Sequence, residues 1–501
     1  MRVWRWSFAA LVLAAAAPLQ AAWFEATTAH FRVIGEGRAN EVQQRAIDLE
    51  QFDGVMRSLF RTQDEAAARA NPLTVYVVAD EAAVQRYCRC GSRVAGFYKG
   101  RAAGSIAFVP RLGDGRNDRF GLRPQQVLFH EYGHHFLLAN STIAVPAWFS
   151  EGYAEFVGTF RRDKDRFILG APPLSRAYGL LIGGGLSWPE LLTGRMPSNR
   201  DPVAMDALYG RGWLLTHYLM LDDGRRAQLS AYLEDLNKGV PPLAAAEKRF
   251  GDLKTLSAAL DRYLTAPKIN VISLDASRVP TPPVTLRPLT EGEAALIELR
   301  MKSTSGVDAK EAADLWARAR PLADRYAKDA VVQGWAAEMA HDADDLPASA
   351  TYAERALALD PAQPQALLYL ARVRFAQLRK TGGDAKAWAD ARKFVVQANR
   401  RSPDAAEPLM LYYQSFRLEG RQPPPVAVDG LLRAQELAPQ DGGLRMLVVR
   451  HYLASGDRTA AARTLRPLAF DPHRGSDNPA ARLLAKIEGG TAKPDDATAS
   501  D

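Results

Sequence analysis

Cysteine is nearly absent: among 501 residues only Cys88 and Cys90 carry a thiol. Two thiols alone cannot complete a tetrahedral metal site. In an oxidising compartment a C-x-C pair reads as a local crosslink, with two inert free thiols as the alternative. A strong charge bias is also missing. The formal net charge is +7, and Arg2 and Arg5 fall in a segment expected to be removed, leaving 7 − 2 = +5. So small and dispersed an excess argues against a nucleic-acid binder. No apolar run reaches bilayer length either: the first, residues 7–19, falls short of the about 20 residues of a spanning helix. That run follows two arginines and precedes Gln20-Ala21-Ala22, the pattern of a secretory signal peptide over residues 1–22, with a retained anchor as the alternative. No cysteine stands at the cleavage point, which argues against a lipoprotein. The expected location, in a bacterial context, is periplasmic or secreted.

What is present is an ordinary globular composition, 47% apolar and 24% charged, in a chain long enough for two or three domains. Its most informative stretch is Phe129-His130-Glu131-Tyr132-Gly133-His134-His135-Phe136. Histidines four apart on a helix share a face one turn apart, so His130 and His134 can hold one ion. Glu131 is turned about 100° around the helix, where its carboxylate can take a proton from metal-bound water. This H-E-x-x-H spacing supplies two zinc ligands and a general base from one turn. His135 points elsewhere and reads as packing or as a support to the ligands. A third ligand is available in Trp148-Phe149-Ser150-Glu151-Gly152-Tyr153-Ala154-Glu155-Phe156, a helix with Pro146 at its start. Glu151 can complete the set and leave a fourth position for water. Glu155, one turn on, can accept a hydrogen bond from a ligand histidine and fix its tautomer.

These two stretches resemble the gluzincin metallopeptidases, which pair H-E-x-x-H with a later E-G-x-A-E-like helix. The resemblance implies that Glu151 is the third Zn²⁺ ligand and that Glu155 supports a histidine. Leu208-Tyr209-Gly210-Arg211-Gly212 is similar to the Y-x-K/R-G segment of several gluzincins. Carried over, Tyr209 is a catalytic residue that donates its hydroxyl to the oxyanion, with packing at a helix start as the plain alternative. His217 is a rival donor or a helix-face histidine. The G-x-M-E-N-like segment of the aminopeptidase branch is absent, since Gly104-Ser105-Ile106-Ala107-Phe108 lacks its glutamate. An endopeptidase or an unusual substrate is therefore expected.

Periodicity predicts strands at 30–34, 73–78, around 96–98 and at 105–109, with helices over 40–60, near 81–87, over 125–138 and over 146–159. Residues 103–109 are the candidate edge strand for an extended substrate, an ordinary buried strand being the alternative. Residues 161–191, with Pro172-Pro173 and Gly183-Gly184-Gly185, read as loop with short elements. A strand at 270–274 precedes Pro280, Pro282, Pro283 and Pro288, which suit a semi-rigid linker.

Beyond about Glu291 the chain is helical and repeats. Helix ends recur at Pro361, Pro403, Pro439 and Pro472, spaced 42, 36 and 33 residues, close to the ~34 of tetratricopeptide repeats. Ala356, Ala398 and Ala434 each stand five residues before the first three prolines, where a small residue lets paired helices approach. An insertion at residues 381–384 explains the longest spacing. Pro467 replaces the alanine in the fourth unit, which reads as a cap, and an earlier unit ends near Asp329.

The expected fold class is α+β: a thermolysin/gluzincin-like domain with a small N-terminal β-sheet, then an all-α tetratricopeptide-repeat solenoid. The expected boundaries are a signal peptide over 1–22, a catalytic domain over 23–275, a linker over 276–290, a solenoid over 291–489 and a disordered tail over 490–501. The function this implies is an exported zinc endopeptidase acting on protein or peptide, with a protein partner on the repeats. The alternatives are a hydrolase of a non-protein amide, such as a cell-wall crosslink, and an inactive peptidase-fold scaffold.

Overall fold

The computed structural model describes residues 22–64, 66–90, 94–111, 120–140, 143–181, 185–198, 201–471, 478–493 and 496. Residues 1–21 of the expected signal peptide, Gly183, Gly184, Pro472 and most of the 490–501 tail lie outside the described residues.

Among the described residues nine strands form two sheets: β1 (Trp23–Thr27), β2 (Phe31–Glu36), β3 (Leu73–Val78), β4 (Phe97–Lys99), β5 (Ile106–Pro110), β6 (Arg161–Asp163), β7 (Arg166–Leu169), β8 (Ile272–Asp275) and β9 (Thr285–Pro288). The larger sheet has the order β4-β5-β3-β2-β1-β9, and β6, β7 and β8 make the smaller one. In the larger sheet β2, β3 and β5 run parallel and the other pairs antiparallel. The run Leu73-Thr74-Val75-Tyr76-Val77-Val78 is apolar almost throughout because both faces of the sheet are covered. Val33, Val75, Val77, Ala107 and Val109 face the main core, while Ile34, Tyr76, Val78, Ile106 and Phe108 face a second cluster.

Helices α1 (Ala39–Phe60), α2 (Ala66–Ala70), α3 (Glu81–Cys88), α4 (Pro124–Ala139) and α5 (Ala147–Gly158) precede the small sheet. Then come α6 (Ala177–Leu181), α7 (Trp188–Leu192), α8 (Pro202–Met220), α9 (Asp223–Asn237), α10 (Pro242–Phe250) and α11 (Leu253–Leu264). Leu49, Phe52, Val55 and Met56 of α1 join Leu128, Phe129 and Tyr132 of α4 in the main core. Burial of such side chains contributes roughly 1.5–3 kcal/mol each and fixes α4 against the sheet.

The stretch expected as a linker supplies β9, which pairs with β1 at the sheet edge. An edge strand tolerates Pro288 because a missing N–H there breaks no ladder on the open side. Residues 103–109 do not form an edge: β5 lies between β3 and β4, and β4 is the terminal strand. The turn after Lys99 folds β4 back antiparallel onto β5, which moves the edge one strand outward.

An array of helices follows: α12 (Glu291–Ser305), α13 (Ala309–Arg325), α14 (Ala330–Asp342), α15 (Leu346–Leu359), α16 (Pro364–Thr381), α17 (Ala385–Arg401), α18 (Ala406–Leu418), α19 (Pro425–Leu437), α20 (Gly442–Ala454), α21 (Arg458–Ala469) and α22 (Pro479–Glu488). Asp308, Asp329, Asp345, Asp384, Asp441 and Asp457 each cap a helix by accepting a backbone N–H. Consecutive helices pack together, and α12 with α14, α14 with α16, and α16 with α18 also touch. Ala356, Ala398 and Ala434 are fully buried. Ile297 and Met301 of α12 close the second face of the sheet, so the array shares a core with the strands. The fold is thus α+β, with a small N-terminal sheet and many helices. Among the described residues no helix is long and apolar enough to cross a membrane.

Candidate metal centre

Three helices build the site. Pro124 opens α4 at a position that needs no N–H donor, and the helix then carries His130 and His134 on one face. Their Nε2 atoms lie 3.1 Å apart. Glu151 of α5 brings Oε2 to 3.5 Å from His130 Nε2 and 3.6 Å from His134 Nε2. Donors about 2.0–2.1 Å from a tetrahedral zinc are roughly 3.3 Å from one another, so these three atoms outline one face of such a site. The residues fit the metal.

Three glycines permit the close helix contacts. A Cβ on Gly133 would lie 2.7 Å from Val157 Cγ2 of α5. A Cβ on Gly152 would overlap the Gly212 carbonyl of α8, and one on Gly212 would lie 2.7 Å from the Trp148 carbonyl. Gly152 of E-G and Gly212, the second glycine of Y-G-R-G, therefore let α5 and α8 cross backbone to backbone, which brings Glu151 and Tyr209 to the same place.

Glu155 lies with Oε1 3.4 Å from His130 Nδ1. It also accepts from Arg176 Nε at 2.9 Å, with Nη2 at 2.8 Å. Burial alone would raise the Glu155 carboxyl; Arg176 and His130 outweigh it and bring it down to about 2. Burial likewise opposes a charge on His130, yet Glu151 and Glu155 raise its imidazole to about 10. A proton and a metal ion compete for that nitrogen. Ser150 Oγ is 3.5 Å from His134 Nδ1.

Tyr209 sits with its ring 6.1 Å from that of His130, and the Arg176 guanidinium lies 4.3 Å from the Tyr209 ring centre. Burial, reinforced by Glu151, Glu155 and Glu131, raises its phenol far above the ordinary tyrosine value, so it stays protonated. Glu131 is buried beside Gly96, where a Cβ would lie 3.0 Å from Glu131 Oε1. Arg176 was not foreseen from the sequence: it stands in the 161–191 stretch, where no spacing marks it.

The other candidates fall elsewhere. His217 is fully buried, with Nε2 donating to the Asn270 carbonyl and Nδ1 accepting from Tyr263, each at 2.9 Å. It is a structural histidine rather than an oxyanion donor. His135 packs against Tyr98 and Tyr132. Cys88 and Cys90 form a disulfide. A second group, His30 with Glu50 and Asp53, has contacts of a different kind. His30 Nδ1 is 2.5 Å from Glu50 and Nε2 is 2.9 Å from Asp64, which are hydrogen-bond lengths rather than ligand spacings. Burial works against its charge, but Glu50, Asp53 and Asp64 raise its pKa, and its ring ties the residue before β2 to Glu50 of α1 and to Asp64. Comparison with protein-family models and with the sequences of curated proteins gives no match.

Proposed function

We propose that the protein is a zinc-dependent metallopeptidase of the gluzincin type. The observation that carries this reading is the His130–His134–Glu151 donor triangle, with edges of 3.1, 3.5 and 3.6 Å, with buried Glu131 next to His130 on α4. Zn²⁺ held by these three residues supplies a water whose pKa is brought toward 7 and a Lewis acid for a carbonyl oxygen. Glu131 accepts the proton of the attacking water on its carboxylate and delivers it to the departing amine nitrogen. Tyr209, kept protonated, donates to the oxygen on which negative charge develops. Glu155 accepts from His130 Nδ1–H and so presents Nε2 as the ligand atom, and Arg176 holds Glu155 ionised for that role. β4, the terminal strand beside Glu131, offers an edge to which an extended substrate can add.

The helical array fits a tetratricopeptide-like solenoid, supported by the buried alanines and the repeating pairs. An exported location rests on the first 22 residues alone. The presence of all three ligands, the base and an ionised Glu155 favours a hydrolase over an inactive scaffold. Metal analysis with X-ray absorption tests the site. One zinc per chain with two nitrogen donors is expected in the wild type and a loss of at least tenfold in affinity in His134→Ala and Glu151→Ala. Equal zinc in all three chains would refute it.

A further inference from the structure

The turn joining β4 to β5, residues 99–105, runs into the face of the array formed by alternate helices. Lys99 Nζ donates to the Ser305 carbonyl at 3.1 Å and Arg101 Nη1 to the Thr304 carbonyl at 3.1 Å, both at the end of α12. The Ala102 N–H donates to Asp441 Oδ2 at 2.6 Å, and Ala102 is buried among Ala406, Tyr413 and Leu444. Along the same face, Glu338 is matched by Arg300 and Glu407 by Arg372. Asp441 and the α12 carbonyls remain to receive the basic turn.

Gly100 is the independent mark of this contact. Its φ is ordinary, so its own backbone does not call for glycine. A Cβ there would instead overlap the Gln440 carbonyl, so the glycine is required by the array. The other end of the same hairpin reaches the metal centre. Gln440 Nε2 donates to Ser105 Oγ at 3.2 Å, Tyr98 donates to that same oxygen at 3.2 Å, and Tyr98 Oη is 2.9 Å from His135 Nδ1, beside His134. Gly96, just before β4, abuts Glu131.

We propose that this face of the array is a receptor for a basic, glycine-containing turn, filled in cis by residues 99–104, and that its occupancy holds β4 against Glu131. The array then acts as a clamp on the catalytic domain's terminal strand rather than as an open platform along this face. The docking stands on the contacts themselves; the consequence for Glu131 rests on the hydrolase reading above.

Two full-length variants test it. Gly100→Val places side-chain atoms where Gln440 lies. Asp441→Asn keeps an oxygen for the Leu444 N–H it caps but turns an amide toward the Ala102 N–H. Amide hydrogen exchange is followed in both, together with zinc content and turnover on an unfolded protein. Exchange over 97–105, 304–306 and 438–446 is expected to rise at least tenfold, with 73–78 and the zinc content unchanged. A head-to-tail cyclised peptide of residues 97–108 should restore protection at 304–306 and 438–446 in the Gly100→Val chain. Wild-type exchange in both variants, or no restoration by the peptide, would overturn the docking. An undocked turn with unchanged turnover would overturn the coupling to Glu131. Absence of turnover in every chain, wild type included, would count against the hydrolase reading and leave the docking to be judged by exchange.

Discussion

Arg176→Met removes the guanidinium from a carboxylate that is almost wholly buried, since Glu155 is 2% exposed. Glu155 sits at about 2 against an ordinary value of 4.5. Such a folded-state value below the unfolded one gives stability that is full above the ordinary glutamate range and lost as pH falls toward 2. The difference corresponds to roughly 3 kcal/mol at neutral pH. Removing one partner of a buried pair independently suggests about 3–5 kcal/mol. Glu155 would take up a proton, the hold on His130 Nδ1–H would weaken, and metal affinity would fall by about 10–100-fold. Urea denaturation at pH 7.5 measures the first effect, and competition against a fluorescent zinc chelator measures the second. Arg176→Lys should be intermediate in both, because a point charge replaces a planar fork. A folded Arg176→Met chain with wild-type zinc affinity would refute the chain of reasoning from Arg176 through Glu155 to His130.

Gly152→Ala puts a methyl group into the Gly212 carbonyl and should cost about 1–3 kcal/mol or more while parting α5 from α8; reduced zinc affinity alongside lower urea resistance would show both effects. His217 is held down at about 4 by burial, although its backbone partners act the other way. Its contribution is therefore full above the unfolded value near 6.5 and is lost as pH falls toward 4, by roughly 3 kcal/mol. Urea midpoints at pH 7.5 and 4.5 should converge in His217→Gln. His30, whose pKa is raised, acts oppositely: its contribution is full below about 6.5 and is lost as pH rises through its folded value, so the variant His30→Gln should lose more stability at pH 6 than at pH 9.

Much of this arrangement was legible in the residues. The short apolar run at 73–78 became β3, and the apolar spacing of 40–60 became α1, because local pattern and core face agreed. The gathering of His130, His134 and Glu151 into a group that could hold a metal ion was readable because the four-residue spacing is a geometric statement in itself. The E-G and Y-G-R-G glycines carried a second message, a helix crossing, that only packing shows. Arg176 was hidden since its partner lies 21 residues earlier and its own surroundings have no period. β9 was hidden by prolines that suit an exposed edge as well as a linker. Residues 103–109 were given the edge although the strand around 96–98 was itself readable, because the order of strands across a sheet is not written in their local pattern. The docking of 99–105 on the array depends on residues from 203 to 339 positions further along the chain, which no local reading reaches.

The most direct test of the central claim compares wild type with Glu131→Gln for zinc content and for turnover of an unfolded protein substrate. One zinc per chain in both, with turnover lowered by about 10²–10⁴-fold or abolished in the variant, is the expected result. Zinc in neither chain, or equal turnover in both, would contradict it.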